Sequence, residues 1–450
     1  MYDCIVVGAG LAGLATAADL AARGRSVLVV EARDRVGGRI ENAELSDGQV
    51  VDMGGQWIAA SHTHMLELVA SHGLALVDPR EGDVAVRLGG QSHQMPTQDE
   101  IDASLNPFAI ADLGKGLARF RRLAEKIVKN PTWAQANATW LEQPLTRWIH
   151  ANLGTPGGQE WFGRCFKAAF DVEANQISLV DGLQRANRGV DMEALIAVNG
   201  GLKQQRVQGG LFQVCERLAA SLPEPVLLSR PVVRIIHSEH RVDVVVVDPE
   251  GVEQVLSAEN VVITLPPRLA TRLSYDPPLP EGRAEMALKV PEGNVIKAYL
   301  VYDEPWWRRL GHSGQMGADE GAVRVSFDTS EPGGRGVLMG YFEGAEGYGS
   351  RSQLLRQRAF AASVEAAFGT TEHTPVEYLD RDWSAEQYTG GCHGAHFTPG
   401  LWTNTGPALG EPFGRVLFAG AEYASQFNGY MEGAVRSGAQ AAAEVARHLG

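Results

Sequence analysis

Cysteine is scarce: Cys4, Cys165, Cys215 and Cys392 are the only four in 450 residues. They are too few and too scattered for a disulfide framework or a zinc site. Basic residues are outnumbered, 40 Lys plus Arg against 54 Asp plus Glu, for a formal charge of −14. A surface of that sign repels phosphate backbones and anionic lipid, so neither nucleic acid nor a membrane surface is an expected partner. No apolar run reaches the ~18 residues of a membrane span. Strand-like sequence begins at Tyr2 without a charged-then-apolar leader, and the chain stops at Gly450 without an apolar tail. A cytoplasmic protein is therefore the expectation. His62 and His64 sit two apart in an expected loop with no partner cluster, and neither a Gly-x-Ser-x-Gly elbow nor an HExxH motif occurs. No metal site is expected.

What is present is an ordinary globular mix, 44% apolar and 21% charged, long enough for two or three domains at ~150 residues each. Residues 3–7 are a short apolar run of the kind buried in a parallel sheet. Gly8-Ala9-Gly10-Leu11-Ala12-Gly13 follows, then a helix over 11–23 ended by Gly24, then a strand over 26–30 closing on Glu31. In that βαβ order Gly8 makes the tight turn, Gly10 lets backbone approach a pyrophosphate, and Gly13 lets helix pack on strand. The helix N-terminus favours phosphate, and Glu31 stands where a carboxylate meets a ribose hydroxyl. An acid at this point favours NAD or FAD over NADP. The continuation selects FAD: Arg33, Gly37, Gly38 and Arg39 extend past the ribose acid, where a longer diphosphate and flavin run on and arginine suits phosphate. Gly54-Gly55-Gln56-Trp57 is a further glycine-rich spot, read as backbone lying against a flat ring.

Between 78 and 205 strand signals are few and helical stretches dominate, such as 113–129 and 161–171. Strands are expected again at 226–237, 241–248, 260–265, 294–302, 322–328 and 415–419, with a last helix over 430–449. The fold class is α/β, a Rossmann-type FAD-binding domain with a second mixed α+β substrate-binding domain. Both are discontinuous: 1–77 with 206–282 and 386–450, and 78–205 with 283–385. The proline-rich stretch 277–280 is the expected crossing. Lys297 is the only charge in an apolar strand. A buried ammonium is rare unless paired, so Lys297 either serves chemistry or guards a sheet edge.

The chain resembles the flavin-containing monoamine oxidases over nearly its whole length. The carrying segments are Gly8–Gly13, Glu31 to Arg39, Gly54 to Trp57, Arg230-Pro231-Val232, 290–297, Trp383 with Tyr388 to Cys392, Phe418-Ala-Gly420-Ala-Glu422, and Asn428-Gly-Tyr430-Met431-Glu-Gly-Ala-Val435. The resemblance implies FAD-dependent oxidation of a primary amine to an imine and aldehyde, with O2 reduced to hydrogen peroxide. It implies that Lys297 serves the reaction with oxygen and that Tyr430 walls an aromatic cage. His393 falls where the second cage tyrosine usually sits, and Cys392 falls where mitochondrial members carry a thioether to the flavin, whereas many bacterial relatives bind FAD without a covalent link, which would make Cys392 a small buried apolar residue. Val232, Trp383, Tyr388, Gly420, Glu422 and Met431 match cofactor-binding positions. An amino-acid substrate would need a buried arginine, for which Arg324 is the candidate; a polyamine, or a non-oxygen electron acceptor, is the other alternative. Residues 168–205 are expected to line the entrance, with Gln204 or Gln205 in the pocket. A homodimer is the expected assembly.

Overall fold

Two seven-stranded sheets organise the chain, each assembled from widely separated stretches. The computed structural model describes residues 1–95, 107–170, 173–187, 205–290, 293–318, 320–343, 347–392, 399 and 409–450. In the first sheet Tyr2–Val7 lies between Val27–Val30 and Glu253–Ile263, parallel to both. Alternation sorts the side chains. Cys4, Val6, Val27 and Val29 face a core shared with helices Leu11–Ala22, Phe212–Ala220 and Met431–Leu449. Ile5, Val7, Leu28 and Val30 face Val242, Val244 and Val246 on the other side. Burial on both faces explains the unbroken apolar runs. Glu253–Ile263 starts earlier than the expected 260–265 because its first half pairs antiparallel with Val242–Val247. Only its second half joins the parallel core, where Val416–Phe418 flanks it.

Helices Leu11–Ala22 and Met431–Leu449 touch through small residues. A Cβ on Gly438 would fall 2.6 Å from the Ala12 carbonyl oxygen, and the Thr16 hydroxyl reaches the Gly438 carbonyl at 3.2 Å. The alanine richness of both helices thus permits close approach as well as favouring helix.

The second sheet runs Glu377–Asp382, Val295–Tyr302, Gly336–Glu343, Val323–Asp328, His312–Ala318, Asp83–Leu88 and Gln91–Met95. The hairpin Asp83–Met95 corrects the expectation of few strands after residue 78. Its polar tip and short alternation carry little signal without the sheet edge that it completes. Helix Gln353–Phe368 covers the face bearing Ile296, Ala298 and Leu300. The opposite face, with Tyr299 and Val301, meets Leu45, Val51 and Met53. By period two Lys297 belongs to that second face, pointed at the glycine-rich stretch that follows the strand Val50–Asp52. A separate helical layer includes Pro107–Lys129, Leu145–Asn152, Pro156–Phe170 and Leu179–Asn187, packed around Phe120, Phe162 and Phe166.

Candidate active site

The glycine loop has the geometry that its spacing implies. Gly8 has φ +106°, and a Cβ on Gly13 would fall 2.0 Å from the Gly8 carbonyl oxygen. At Gly10 a Cβ would meet only the Gly38 Cα, at 3.9 Å, so this side of the turn stays open. No side chain caps the start of helix Leu11–Ala22, which leaves its amide end to an anion. Gly37 bridges Gly10 and donates to the Ala9 carbonyl at 2.8 Å. The second glycine pair is therefore laid beside the first. Buried Glu31 accepts from the Ala9 amide at 2.7 Å and the Arg33 amide at 3.0 Å, which fixes its carboxylate against the loop. The Glu31 and Arg33 backbone is zipped to Leu227, Ser229 and Arg230, just ahead of Val232, which opens the strand Val232–His237.

Arg33 and Arg39 differ. Arg33 forms ionic contacts with Glu386 through Nη2 at 3.5 Å and with Glu31 at 4.0 Å, and lies over the Tyr388 ring at 5.6 Å. Its buried Nε and Nη2 atoms have no hydrogen-bond partner. Buried guanidinium N–H groups that make no hydrogen bond fit a polar group such as a cofactor phosphate. The open turn at Gly10, the uncapped helix and these Arg33 donors together match the chemistry of FAD. Arg39, read from sequence as a phosphate donor, instead makes a bidentate pair with Glu422 at 2.6 and 3.0 Å. It also reaches the Cys392 carbonyl at 3.4 Å.

Gly54 and Gly55 serve the chain's own packing. A Cβ on Gly54 would sit 2.0 Å from the Arg39 carbonyl oxygen, and one on Gly55 would sit 2.8 Å from Met431 Sδ. Both glycines are therefore required by the close packing of the chain on itself.

Lys297 lies in a strand flanked on both sides, paired at Tyr341 and at Arg381. The edge-guard alternative is therefore excluded. Only 2% of Lys297 is exposed. Its ammonium donates to the Gly54 carbonyl at 2.8 Å and to Gln56 Oε1. The Tyr299 hydroxyl donates to the Asp52 carbonyl at 2.5 Å and lies 3.1 Å from the same Gln56 oxygen. Burial pulls the Lys297 pKa down to about 8, with the Asp52 charge opposing that shift. Burial pushes the Asp52 carboxyl up to about 6, although Lys297 and the Leu211 amide favour its ionised form. Cys392 is close enough to act electrostatically on Lys297, and its amide donates to the Gly293 carbonyl at 3.0 Å. Buried Trp383 donates to the Met53 carbonyl at 2.9 Å. Trp57 packs edge-on to Phe327 at 5.4 Å.

At the far end of the chain, Gly420 has φ +147° and donates to the Ser437 hydroxyl at 3.0 Å. Tyr430 is the N-cap residue of helix Met431–Leu449, half-buried against the helical layer. Its ring stands 5.8 Å from His62. His62 is the non-helical N-cap residue of the helix Thr63–Ser71, at the end of the expected loop, whereas His64 lies in the first turn of that helix. Buried Glu432 accepts from the His64 and Met65 amides and from Arg436, at 3.2, 2.9 and 2.7 Å, so it clamps that helix to the last one. Sequence reasoning missed Asp52, Tyr299, His62 and Glu432 as parts of the site. Tyr299 could have been found, because period two puts it beside Lys297.

Arg324 is exposed, which corrects its reading as a buried carboxylate partner. Gln205 pairs with Ile58 through the backbone and reaches Asp78 at 2.8 Å. His393 and Gln204 lie outside the described residues, as does most of 188–205. Cys4, Cys215 and Cys392 form no disulfide, and among the described residues no cluster could hold a metal ion and no helix is long and apolar enough to cross a membrane.

The profile of the family described as flavin containing amine oxidoreductase matches residues 11–446. A Mycobacterium tuberculosis protein named for similarity to the flavin-containing monoamine oxidases is 33% identical, covering 99% of this chain and 97% of that one. The solved cyclohexylamine oxidase of Brevibacterium oxydans superposes with a TM-score of 0.89 at 30% identity, over 100% of this chain and 99% of that one. Putrescine oxidase bound to putrescine superposes with a TM-score of 0.91 at 28% identity, over 99% of both chains. The expected fold class, cofactor and resemblance are borne out.

Proposed function

The chain belongs to the flavin-containing amine oxidoreductases, and on that premise we propose that it oxidises a primary amine and passes the electrons to dioxygen, releasing hydrogen peroxide. It is an FAD-dependent enzyme acting on small-molecule amines. When bound, FAD supplies the redox step, taking a hydride equivalent from the amine's α-carbon, after which the imine hydrolyses in water. The protein's residues bind, orient and tune. The Gly8–Gly13 turn and the uncapped helix would hold the diphosphate, Glu31 the ribose, and Arg33 a further polar group.

The observation that carries the proposal is Lys297: one ammonium in a strand buried along its whole length, held by two oxygen acceptors. Reduction of dioxygen develops negative charge, and a fixed cation in a water-poor site stabilises it far more than one in water would. Tyr430 is assigned to one wall of the amine site. A flat ring and a low-dielectric pocket favour the neutral, reactive amine by desolvation. The substrates named for the two solved relatives, putrescine and cyclohexylamine, both carry a primary amino group, which supports the assignment. The test is a peroxide-coupled screen of primary amines, amino acids and polyamines on purified yellow protein. Primary amines should yield peroxide. Turnover seen only with an artificial dye would overturn oxygen as acceptor, and peroxide from amino acids alone would overturn the substrate class.

A further inference from the structure

We propose that Gln56 is a positioning residue for Lys297, its amide oxygen fixing where the ammonium points. The inference rests on the reading of Lys297 as the group that serves oxygen. An ammonium carries three protons and accepts none. One proton goes to the Gly54 carbonyl and a second to Gln56 Oε1. That requirement sets the amide, since only its oxygen can face Lys297. Gln56 is 3% exposed, so the amide has no water in which to turn. The Tyr299 hydroxyl, anchored on the Asp52 carbonyl, stands on the same oxygen. A flexible four-carbon stem is thereby reduced to one direction, and the third proton is left for what enters beside it.

The charged and titratable groups around Lys297 are few. Asp52 and Cys392 act on it electrostatically, and the Tyr299 ring lies 5.6 Å from the ammonium. Tyr341 and Arg381 face it across the two ladders. Arg381 is engaged by Glu41 and Glu386, and Arg206, beyond Asp52, by Glu331. Among the described residues no carboxylate forms an ion pair with Lys297, so neutral oxygen dipoles hold the charge. Changing one of those dipoles should therefore move the lysine's titration.

Two variants of the holoenzyme separate positioning from mere packing. Gln56→Leu removes an acceptor of the ammonium, and Gln56→Glu adds a negative charge with almost no change of shape. Rapid mixing measures reduction by amine and reoxidation by oxygen separately, between about pH 6 and pH 10. A pH titration of the bound flavin's visible spectrum reports the same ionisation without turnover. Wild-type reoxidation should fall as pH rises through about 8. Gln56→Leu should slow reoxidation about tenfold at neutral pH, and slow reduction less, as expected for losing a bond to a charged group. Its inflection should move down by about one pH unit, and that of Gln56→Glu should move up. Opposite shifts are the signature, because a packing defect has no sign. Shifts in one direction, or none, with Lys297→Met still slowing reoxidation, overturn the role of Gln56 alone. If Lys297→Met leaves reoxidation unchanged, the oxygen reading falls, and the spectral titration judges Gln56 by the same opposite shifts. If Gln56→Leu does not fold, the near-isosteric Gln56→Glu decides by its upward shift or lack of one.

Discussion

Replacing Arg39 by methionine should destabilise the protein before any cofactor is considered. The Arg39 guanidinium grips Glu422 with two charge-assisted bonds, at 2.6 and 3.0 Å. Glu422 is 4% exposed at its side chain and Arg39 28%. Breaking a fully buried pair costs about 3–5 kcal/mol, because the remaining charge loses its compensation away from water. Partial exposure of Arg39 places this pair at the lower end, about 3 kcal/mol. Unfolding entropy of ~2.1 cal/mol/K per residue gives roughly 0.95 kcal/mol/K for a chain of this length, so the melting temperature of flavin-free protein should fall about 3 °C. Arg39→Lys should recover only part, since an ammonium cannot make the bidentate fork. The double variant Arg39→Met with Glu422→Leu should melt higher than Arg39→Met alone, because both buried charges are then gone. Differential scanning calorimetry on the stripped protein is the assay. An unchanged melting temperature for Arg39→Met, with FAD affinity lost, would refute this reasoning and return Arg39 to a phosphate role.

The parts of this site that could be read from sequence are those written in local pattern. Gly8, Gly10, Gly13 and Glu31 lie within one βαβ unit, where the steric demands of turn and helix packing act between near neighbours. Lys297 stood out because a lone charge in an apolar strand contradicts the strand around it. What stayed hidden depends on partners far away in the chain. Arg39 and Glu422 are 383 residues apart, and nothing near either says that they meet. A glycine such as Gly55 announces close approach but not what approaches, and Met431, which meets its Cβ side, lies far away in the chain. The hairpin Asp83–Met95 is too polar at its tip to look like sheet until the strand His312–Ala318 offers it an edge. The helix that starts just after His62 was not read because its N-cap carries none of the usual side-chain signals.

The remaining predictions concern the cofactor and acid stability. Glu31→Ala, which deletes the carboxylate held by the Ala9 and Arg33 amides, should weaken FAD by about 1–3 kcal/mol in a flavin-fluorescence titration; unchanged affinity would count against the ribose role. Acid precipitation decides between the two readings of Cys392: a thioether requires yellow colour in the pellet of wild-type protein and in the supernatant of Cys392→Ala, whereas colour wholly in the wild-type supernatant makes Cys392 a packing residue. His62 predicts a loss of stability in acid. It is buried, accepts the Ala59 amide at its Nδ1 atom at 3.1 Å, and stands edge-on to Phe427 and Tyr430. Burial pulls its pKa down to about 4, with Glu432 opposing that shift and Arg436 adding to it. The unfolded chain takes up a proton near pH 6.5, whereas the folded chain waits until about pH 4. Between those values the unfolded state binds more protons, so stability falls as pH falls, by about 3 kcal/mol across the window and about 2 at pH 5. His62→Gln keeps a side chain that can accept the Ala59 amide but cannot titrate. Its melting temperature should therefore decline about 2 °C less than that of wild type between pH 7.5 and pH 5. Carboxylates titrate alike in both proteins and cancel in the comparison. Parallel melting curves would mean that His62 is already protonated in the folded protein, and that its contact with Tyr430 is not the neutral, edge-on packing described above.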